Sequence, residues 1–451
     1  MMEQKLGWID GFMNRREEEF AGLSREIWNY AETGMEEKRS ASALCQALKE
    51  NGFRVEKNLA GIPTAFVGSC GEGSPVIGFL GEFDALEGLS QRAGIAEKEP
   101  EEGGGNGHGC GHNLLGCGSL AAAVAVKEYM EEHGLKGTVR YYGCPGEEEG
   151  CGKVHMAKAG CFWGLDAALT WHPMDFNGIE GKGSLADLCM SFHFTGKSAH
   201  ASSCPHMGRS ALDALELLNI ASNFMREHII PEARIHYAIT DAGGTAPNVI
   251  PARASAAYEV RAPKREQAEE LKERLIRAAR GAAMMTDTEV EVEDGNSYSD
   301  YIPNDFLNRV AWEQLQKVEL PVYTEEEREL AARLRLTFSE NAGNGGGGQK
   351  ERRQEPIAGN LVPYEGTGGC LPVSTDVGDV SYLVPTVQLY TACCASGTPG
   401  HSWQMVSQTG CSIGEKGMIT AAKVLALTAL RLFEKPELLK GAWEEYKRKV
   451  E

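Results

Sequence analysis

Residues 75–86 read PVIGFLGEFDAL, an apolar run that closes on two acids, Glu82 and Asp84. A half-exposed strand alternates apolar and polar positions; a run this continuously apolar must be covered on both faces. The stretches TAFVG, GTVRYYGCP and DAALTWHP share that texture, and helix-spaced segments such as SLAAAVAVKEYMEEHG fall between them. Alternation of this kind predicts an α/β domain with helices around a mostly parallel mixed sheet. An acid at the end of a buried strand is costly unless it is paired or ligated. Asp84 is therefore either a turn or helix-cap residue or part of a site.

From about Ser184 the texture changes. LADLCMSFHFTG alternates like a half-exposed strand, and two amphipathic helices and three further strands follow before Asn296. The order β-α-β-β-α-β is that of a ferredoxin-like unit inserted into the first domain. The expected boundaries are 1–184 for the first part of the α/β domain, 185–295 for the insert and 296–451 for the second part. Two domains also suit 451 residues, too many for one core. The glycine run in NAGNGGGGQKERRQE reads as a surface loop, because it lacks the GK[ST] ending of a phosphate cradle.

A formal net charge of −19 argues against nucleic-acid and anionic-membrane partners. No run approaches the ~20 apolar residues of a membrane helix. The first twenty residues carry charge early and hold no apolar signal core, and thirteen cysteines scattered through a long chain read as reduced thiols. The expected location is the cytoplasm.

Four stretches hold chemistry. GHGCGHN supplies Cys110 and His112, CPGEEEGCGK supplies Glu147, Glu148 and Glu149, LTWHP supplies His172, and TPGHSWQ supplies His401. Each has a plain alternative: a structural turn, a solvated acidic face, a loop histidine. Three of the four fall at the ends of expected buried strands, where open α/β sheets bind their ligands. Together, carboxylate, imidazole and thiolate form an inventory suited to zinc or manganese. Asp84 would then orient a ligand histidine.

The collinear order GEFDAL, GHGCGHNLLG, PGEEEGCGK, TWHP, SAHASSCPHMGRSALDA, APNVIP, STDVGDVSYLVP and GTPGHSWQ, spanning about residues 5–446, resembles the co-catalytic amidohydrolase and carboxypeptidase family. The resemblance implies a two-metal catalytic domain with an inserted lid or dimerisation domain. It implies two divalent cations per subunit, manganese or zinc, held by Cys110 as a bridging thiolate with His112, Glu148, His172 and His401. Glu147 becomes the general base, with His108 and Glu149 outside the ligand set. His200 on the insert becomes the oxyanion donor, reaching into a partner subunit's site, and Asn248, Arg261 and His206 become substrate contacts.

The implied activity is hydrolysis of the amide of N-acyl amino acids such as p-aminobenzoyl-glutamate. A dipeptidase or aminoacylase is the alternative, and a non-catalytic metal-binding subunit the alternative of another class. The implied assembly is a homodimer, or a heteromer with a paralogous subunit. One departure stands out: relatives carry histidine or arginine two places before the strand-end aspartate, where this chain has Glu82. Asp379 aligns with an acid of the family, whereas the resemblance gives Asp376 no role.

Overall fold

The computed structural model describes residues 2–101, 104–339 and 355–450, so most of the expected glycine-rich surface loop lies outside the described residues. The chain divides into two compact units.

The first unit comprises residues Met1–Lys182, Ile302–Gly369 and Val380–Glu451. Its seven-stranded sheet runs in the order Arg54–Lys57, Phe66–Glu72, Gly137–Cys144, Val76–Glu82, Ala167–Met174, Thr386–Ala392, Gly178–Ile179. The four strands from Gly137–Cys144 to Thr386–Ala392 are mutually parallel, and the outer pairings are antiparallel. The expected mostly parallel mixed sheet is thus present, with Arg54–Lys57 as an exposed edge strand that the apolar pattern did not announce.

The buried strands are apolar on both faces for the reason their sequence gives. Phe79, Tyr141, Leu169 and Trp171 face one layer of core, and Leu80, Tyr142 and Ala168 face the other. Register aligns Phe79 with both Tyr141 and Leu169, which makes a continuous apolar row across the centre. On the first face lie the helices His112–His133 and Ser412–Glu434, rich in Ala, Val and Leu and buried over most of their length. Helix Met2–Tyr30 covers them.

The second unit comprises Gly183–Tyr301 and Cys370–Asp379. Its four-stranded antiparallel sheet has the order Glu289–Tyr298, Ala186–Thr195, Arg253–Ala262, Arg234–Asp241. Numbered along the insert this is 4-1-3-2, with helices Ala211–Met225 and Arg265–Thr286 packed on the face that Leu188, Met190, Phe192 and Phe194 bury. The edge strand Arg234–Asp241 is exposed at every position but Ile235. Residues 370–371 pair in parallel with 183–184, and Leu185 donates to Val373, so part of the expected 296–451 segment packs with this unit.

A side chain at Gly118 has no room: its Cβ would come within 2.8 Å of the Trp171 ring. Gly118→Val is expected to lower the stability of the first unit by about 1–3 kcal/mol through overpacking, read as an earlier denaturation midpoint by tryptophan fluorescence. An unchanged midpoint would mean that helix and sheet separate freely at this contact.

Candidate metal centre

Because the four central strands are parallel and adjacent, their carboxyl ends share one edge of the sheet. Each delivers a chemical group there: Val76–Glu82 ends on Glu82 and leads to Asp84, Gly137–Cys144 leads to Glu147 and Glu148, Ala167–Met174 contains His172, and Thr386–Ala392 leads to His401. Cys110 and His112 arrive at the start of the helix His112–His133.

The glycines around Cys110 are there for access. Gly111 has φ +81°, and a Cβ on Gly109 would press on Leu89, Leu86 and the His401 backbone. The backbone N–H of His401 donates to the Gly109 carbonyl at 3.0 Å, which brings the two loops together. His401 itself holds φ +53°, a conformation that costs a non-glycine residue of order 1–3 kcal/mol and is found at over-determined sites.

Cys110 Sγ lies 3.2 Å from His172 Nε2, and His401 Nε2 lies 3.3 Å from Glu148 Oε2. Donors placed around one small cation stand about 3.4 Å apart when each is ~2.1 Å from it, so these separations are those of ligand pairs. Three sets of three donors converge within 4.8 Å: Cys110, His112 and His172; Cys110, Glu148 and His401; His112, Glu147 and Glu148. The first two sets share the Cys110 thiol.

The tautomers follow from the outer partners. His112 Nδ1 donates to Asp84 Oδ1 at 2.8 Å, and His172 Nδ1 donates to the Pro173 carbonyl at 2.9 Å, so Nε2 of each ring turns to the cluster. Asp84 also accepts the Glu148 backbone N–H at 2.9 Å through its second oxygen. His112 Nε2 and Glu148 Oε1 are buried without a hydrogen-bond partner. Buried polar atoms are rarely left so, and a divalent cation satisfies both. The donor set fits that group.

Desolvation pushes the Cys110 thiol well above its usual range. Burial opposes the charged form of His112, but Cys110 and Asp84 outweigh it and raise its pKa. Burial likewise works against the Glu148 carboxylate, and His401 and His112 reverse it, so Glu148 is held ionised. His172 is driven down to about 4 by burial and the neighbouring His112.

His108 is no part of the cluster. It is fully buried, donates through Nε2 to the Ile27 carbonyl, accepts the Asn113 N–H, and is pushed down to about 4 by burial. Glu149 is exposed. The role of Glu82 becomes clear with Lys153, a residue inside CPGEEEGCGK that sequence reasoning passed over. Glu82 Oε1 binds the fully buried Lys153 ammonium at 2.6 Å, while Oε2 lies 3.3 Å from His112 Nε2. The cation that faces Glu82 is supplied by the helix Gly152–Lys158. A lysine among apolar residues one turn after an acidic loop was the available signal.

The remaining candidates lie in the second unit. His200 Nδ1 accepts from the backbone N–H groups of Ser202 and Ser203, which leaves the proton on Nε2. Ala201 donates to the Asn248 carbonyl, and His200 bridges Val249. His206 is exposed, and Arg261 is half-buried, 3.0 Å from Asp187 and also paired with Glu259. Asp379 accepts from the N–H and hydroxyl of Ser299 and pairs with Arg265 within the same unit.

Such a sheet edge, with a thiol shared between two donor sets and a separate β-α-β-β-α-β unit, defines the class of two-domain amidohydrolases and peptidases. Residues 188–284 match the peptidase dimerisation domain of the M20 peptidases. The chain is 43% identical to one of the subunits of p-aminobenzoyl-glutamate hydrolase of Escherichia coli, over 99% of this chain and 95% of that one. It is 28% identical to the mouse Xaa-Arg dipeptidase, over 96% and 90%. A Bacillus subtilis structure described as a dinuclear metal binding peptidase of the M20 family shares the fold, with a TM-score of 0.60 at 17% identity, over 94% of this chain and 99% of that one. The chain belongs to the M20 family of peptidases and amidohydrolases.

The electrostatics of the centre make two measurable demands. Lys153→Met takes the ammonium from the buried Glu82 carboxylate and is expected to cost about 3–5 kcal/mol, with Glu82→Gln in the same chain recovering most of it; equal loss in the single and double variants would refute the pairing. A cation held by Cys110 would take its thiolate, so binding there is expected to expel at least one proton near neutrality and to weaken as pH falls. Calorimetry in buffers of different ionisation enthalpy should show that release, and a buffer-independent heat would contradict it.

Proposed function

We propose that this chain is a two-cation amidohydrolase that cleaves the amide of N-acyl amino acids, with aromatic acyl glutamates such as p-aminobenzoyl-glutamate as its substrate class. The observation that carries this reading is the Cys110 thiol common to two three-donor sets, beside the adjoining carboxylates Glu147 and Glu148. The name of the Escherichia coli relative supports the substrate class.

In this reading Cys110, His112 and His172 hold one cation and Cys110, Glu148 and His401 the other. The mixed sulfur, nitrogen and oxygen donors suit manganese or zinc. Bound divalent cations supply Lewis acidity and lower the pKa of coordinated water. Glu147 accepts the proton of the attacking water and passes it to the leaving amine nitrogen. Adjacent glutamates thus carry different tasks: Glu148 is fixed by Asp84 and His401 as a ligand, while Glu147 remains for proton transfer. His200, with its proton on Nε2, serves as the oxyanion donor in a partner subunit's site. Asn248, Arg261 and His206 hold the substrate carboxylate; Arg261 does so by exchanging one of its present carboxylate partners.

The partner is a second copy of this chain or a paralogue. The paralogue is favoured because the Escherichia coli hydrolase has two differently named subunits, and this chain is similar to both. The proposed location is the cytoplasm, as expected from the sequence; among the described residues no helix is long and apolar enough to cross a membrane. A dipeptidase is the second reading, favoured by the similarity to the Xaa-Arg enzyme.

Metal analysis of the purified chain, followed by a panel of p-aminobenzoyl-glutamate, acetyl-amino acids and dipeptides ending in arginine, separates these readings. Release of glutamate at the highest kcat/KM is expected; faster cleavage of the dipeptides would select the second reading, and two bound cations with no amide turned over would select the non-catalytic one. Glu147→Gln should retain both cations and lose at least a hundredfold in kcat, whereas His112→Ala should lower the metal content itself. A glutamine variant with near-normal turnover would remove Glu147 from the role of base.

A further inference from the structure

Glu37 is a fully buried acid that the chemistry above does not use. It occupies the position before the helix Lys38–Glu50, where a carboxylate ordinarily accepts the helix's own first N–H groups. Its side chain makes no such bond. That task falls to Glu32, whose two oxygens take the N–H groups of Arg39 and Ser40 and the Ser40 hydroxyl. The Glu37 side chain turns away instead, and its Oε1 accepts the Gly146 N–H at 2.8 Å. Gly146 opens the loop that carries Glu147 and Glu148.

The whole segment 31–37 is applied to that loop and to the neighbouring strand end. Ala85 donates to the Glu32 carbonyl at 2.8 Å and Thr33 bridges Ala85, one residue beyond Asp84. A Cβ on Gly34 would stand 3.3 Å from Gly146 Cα, and one on Gly150 would meet the Met35 side chain at 2.6 Å. Ala31 and Met35 hold φ of +43° and +65°, conformations that non-glycine residues keep only where the surroundings impose them. Glu37 Oε2 is buried with no partner. A buried acid, an unpaired oxygen and two strained residues are all costs. What they secure in common is the hold on residues 145–151. Burial and the nearby Asp84 push the Glu37 pKa up to about 7, in keeping with a carboxyl that works as a hydrogen-bond acceptor more than as a charge.

We infer that Glu37 is a positioning residue that fixes the loop 145–151 by accepting the Gly146 N–H, so that Glu147 and Glu148 are presented together. Its consequence for turnover rests on the reading of those glutamates as base and ligand. Its consequence for the loop does not. The fold therefore holds the acidic loop from two sides, Asp84 through the Glu148 N–H and Glu37 through the Gly146 N–H.

The test compares Glu37→Leu, which removes the acceptor, with Glu37→Gln, which keeps it. Amide hydrogen exchange over residues 145–151 is read first in the metal-free full chain. Exchange is expected to be at least tenfold faster in the leucine variant and within threefold of the parent in the glutamine variant. With metal restored, kcat should fall at least tenfold in the leucine variant with KM changed less than threefold, and the glutamine variant should recover the parental kcat. If the leucine variant does not fold, Glu37→Asp replaces it: one methylene shorter, it withdraws the acceptor and should give the same faster exchange. Parental exchange in the variants lacking the acceptor overturns the inference, as does a glutamine variant as impaired as the leucine one. Fast exchange together with a parent that hydrolyses no amide would sustain the role of Glu37 while sinking the proposed activity.

Discussion

One buried carboxylate ties the centre together. Asp84 gives Oδ1 to the imidazole of His112 and Oδ2 to the backbone N–H of Glu148. The first bond fixes a ring at the start of a helix, and the second fixes a loop that follows a different strand. Asp84 thus joins two segments that are far apart in sequence, beside the bond from the Tyr141 hydroxyl to the Gly116 carbonyl. The acid can play this part because it sits just past the end of a strand buried on both faces, where the sheet leaves it no freedom to move. Fixing a ligand's outer nitrogen also fixes its tautomer, so the same contact that shapes the fold decides which nitrogen of His112 is offered to a cation.

The charge balance around Asp84 explains why the place would draw divalent ions. Glu37, Glu82, Asp84 and Glu148 are all buried or nearly so, Glu147 is half-buried, and the fully buried Lys153 ammonium is paired with Glu82. Asp84 raises the pKa of Glu37 and works against ionisation of Glu148. Without a further cation such a group is held together against its own repulsion, and Glu148 remains ionised only because His401 and His112 face it. Two divalent ions would offset this repulsion and at the same time satisfy the unpartnered His112 Nε2 and Glu148 Oε1. The mutual repulsion of these acids and affinity for divalent cations are one property seen from two sides.

Much of this was legible in the sequence, and for physical reasons. Short apolar runs bounded by turn residues and set between helix-spaced segments read as strands covered on both faces, so the sheet and the placing of Asp84, His172 and the Glu147–Glu148 pair at its edge followed from hydrophobicity and chain order. The β-α-β-β-α-β insert followed from alternation, and its 4-1-3-2 strand order agrees. What local pattern could not yield were the partners set by tertiary contact. Lys153 reads as an ordinary helix residue until Glu82 is opposite it. Glu37 stands just before a helix, and only the fold shows its side chain leaving that helix for the Gly146 N–H. His108 and His112 are chemically alike and four residues apart, yet one faces the Ile27 carbonyl and the other Asp84.

That last pair shows how the glycines of the ligand loop allot roles. Gly109 lets the His401 loop pass against the chain, and Gly111 takes a left-handed φ that turns the backbone sharply before the helix begins. Before the turn, His108 is directed inward to the helix Met2–Tyr30, where burial keeps it neutral and it serves as a hydrogen-bonding spacer. After the turn, His112 emerges toward the strand ends with an acid behind it. A side chain at Gly109 would press on the His401 backbone, and one at Gly111 would press on Pro173 and Thr409 and strain the left-handed φ, so either would disturb the placing of Cys110, although every residue of the cluster would still be present in the sequence. Ligand identity is therefore only half of the specification here. The other half is the absence of Cβ atoms between the ligands, which allows groups from two distant loops to reach the distances at which a single ion could hold both.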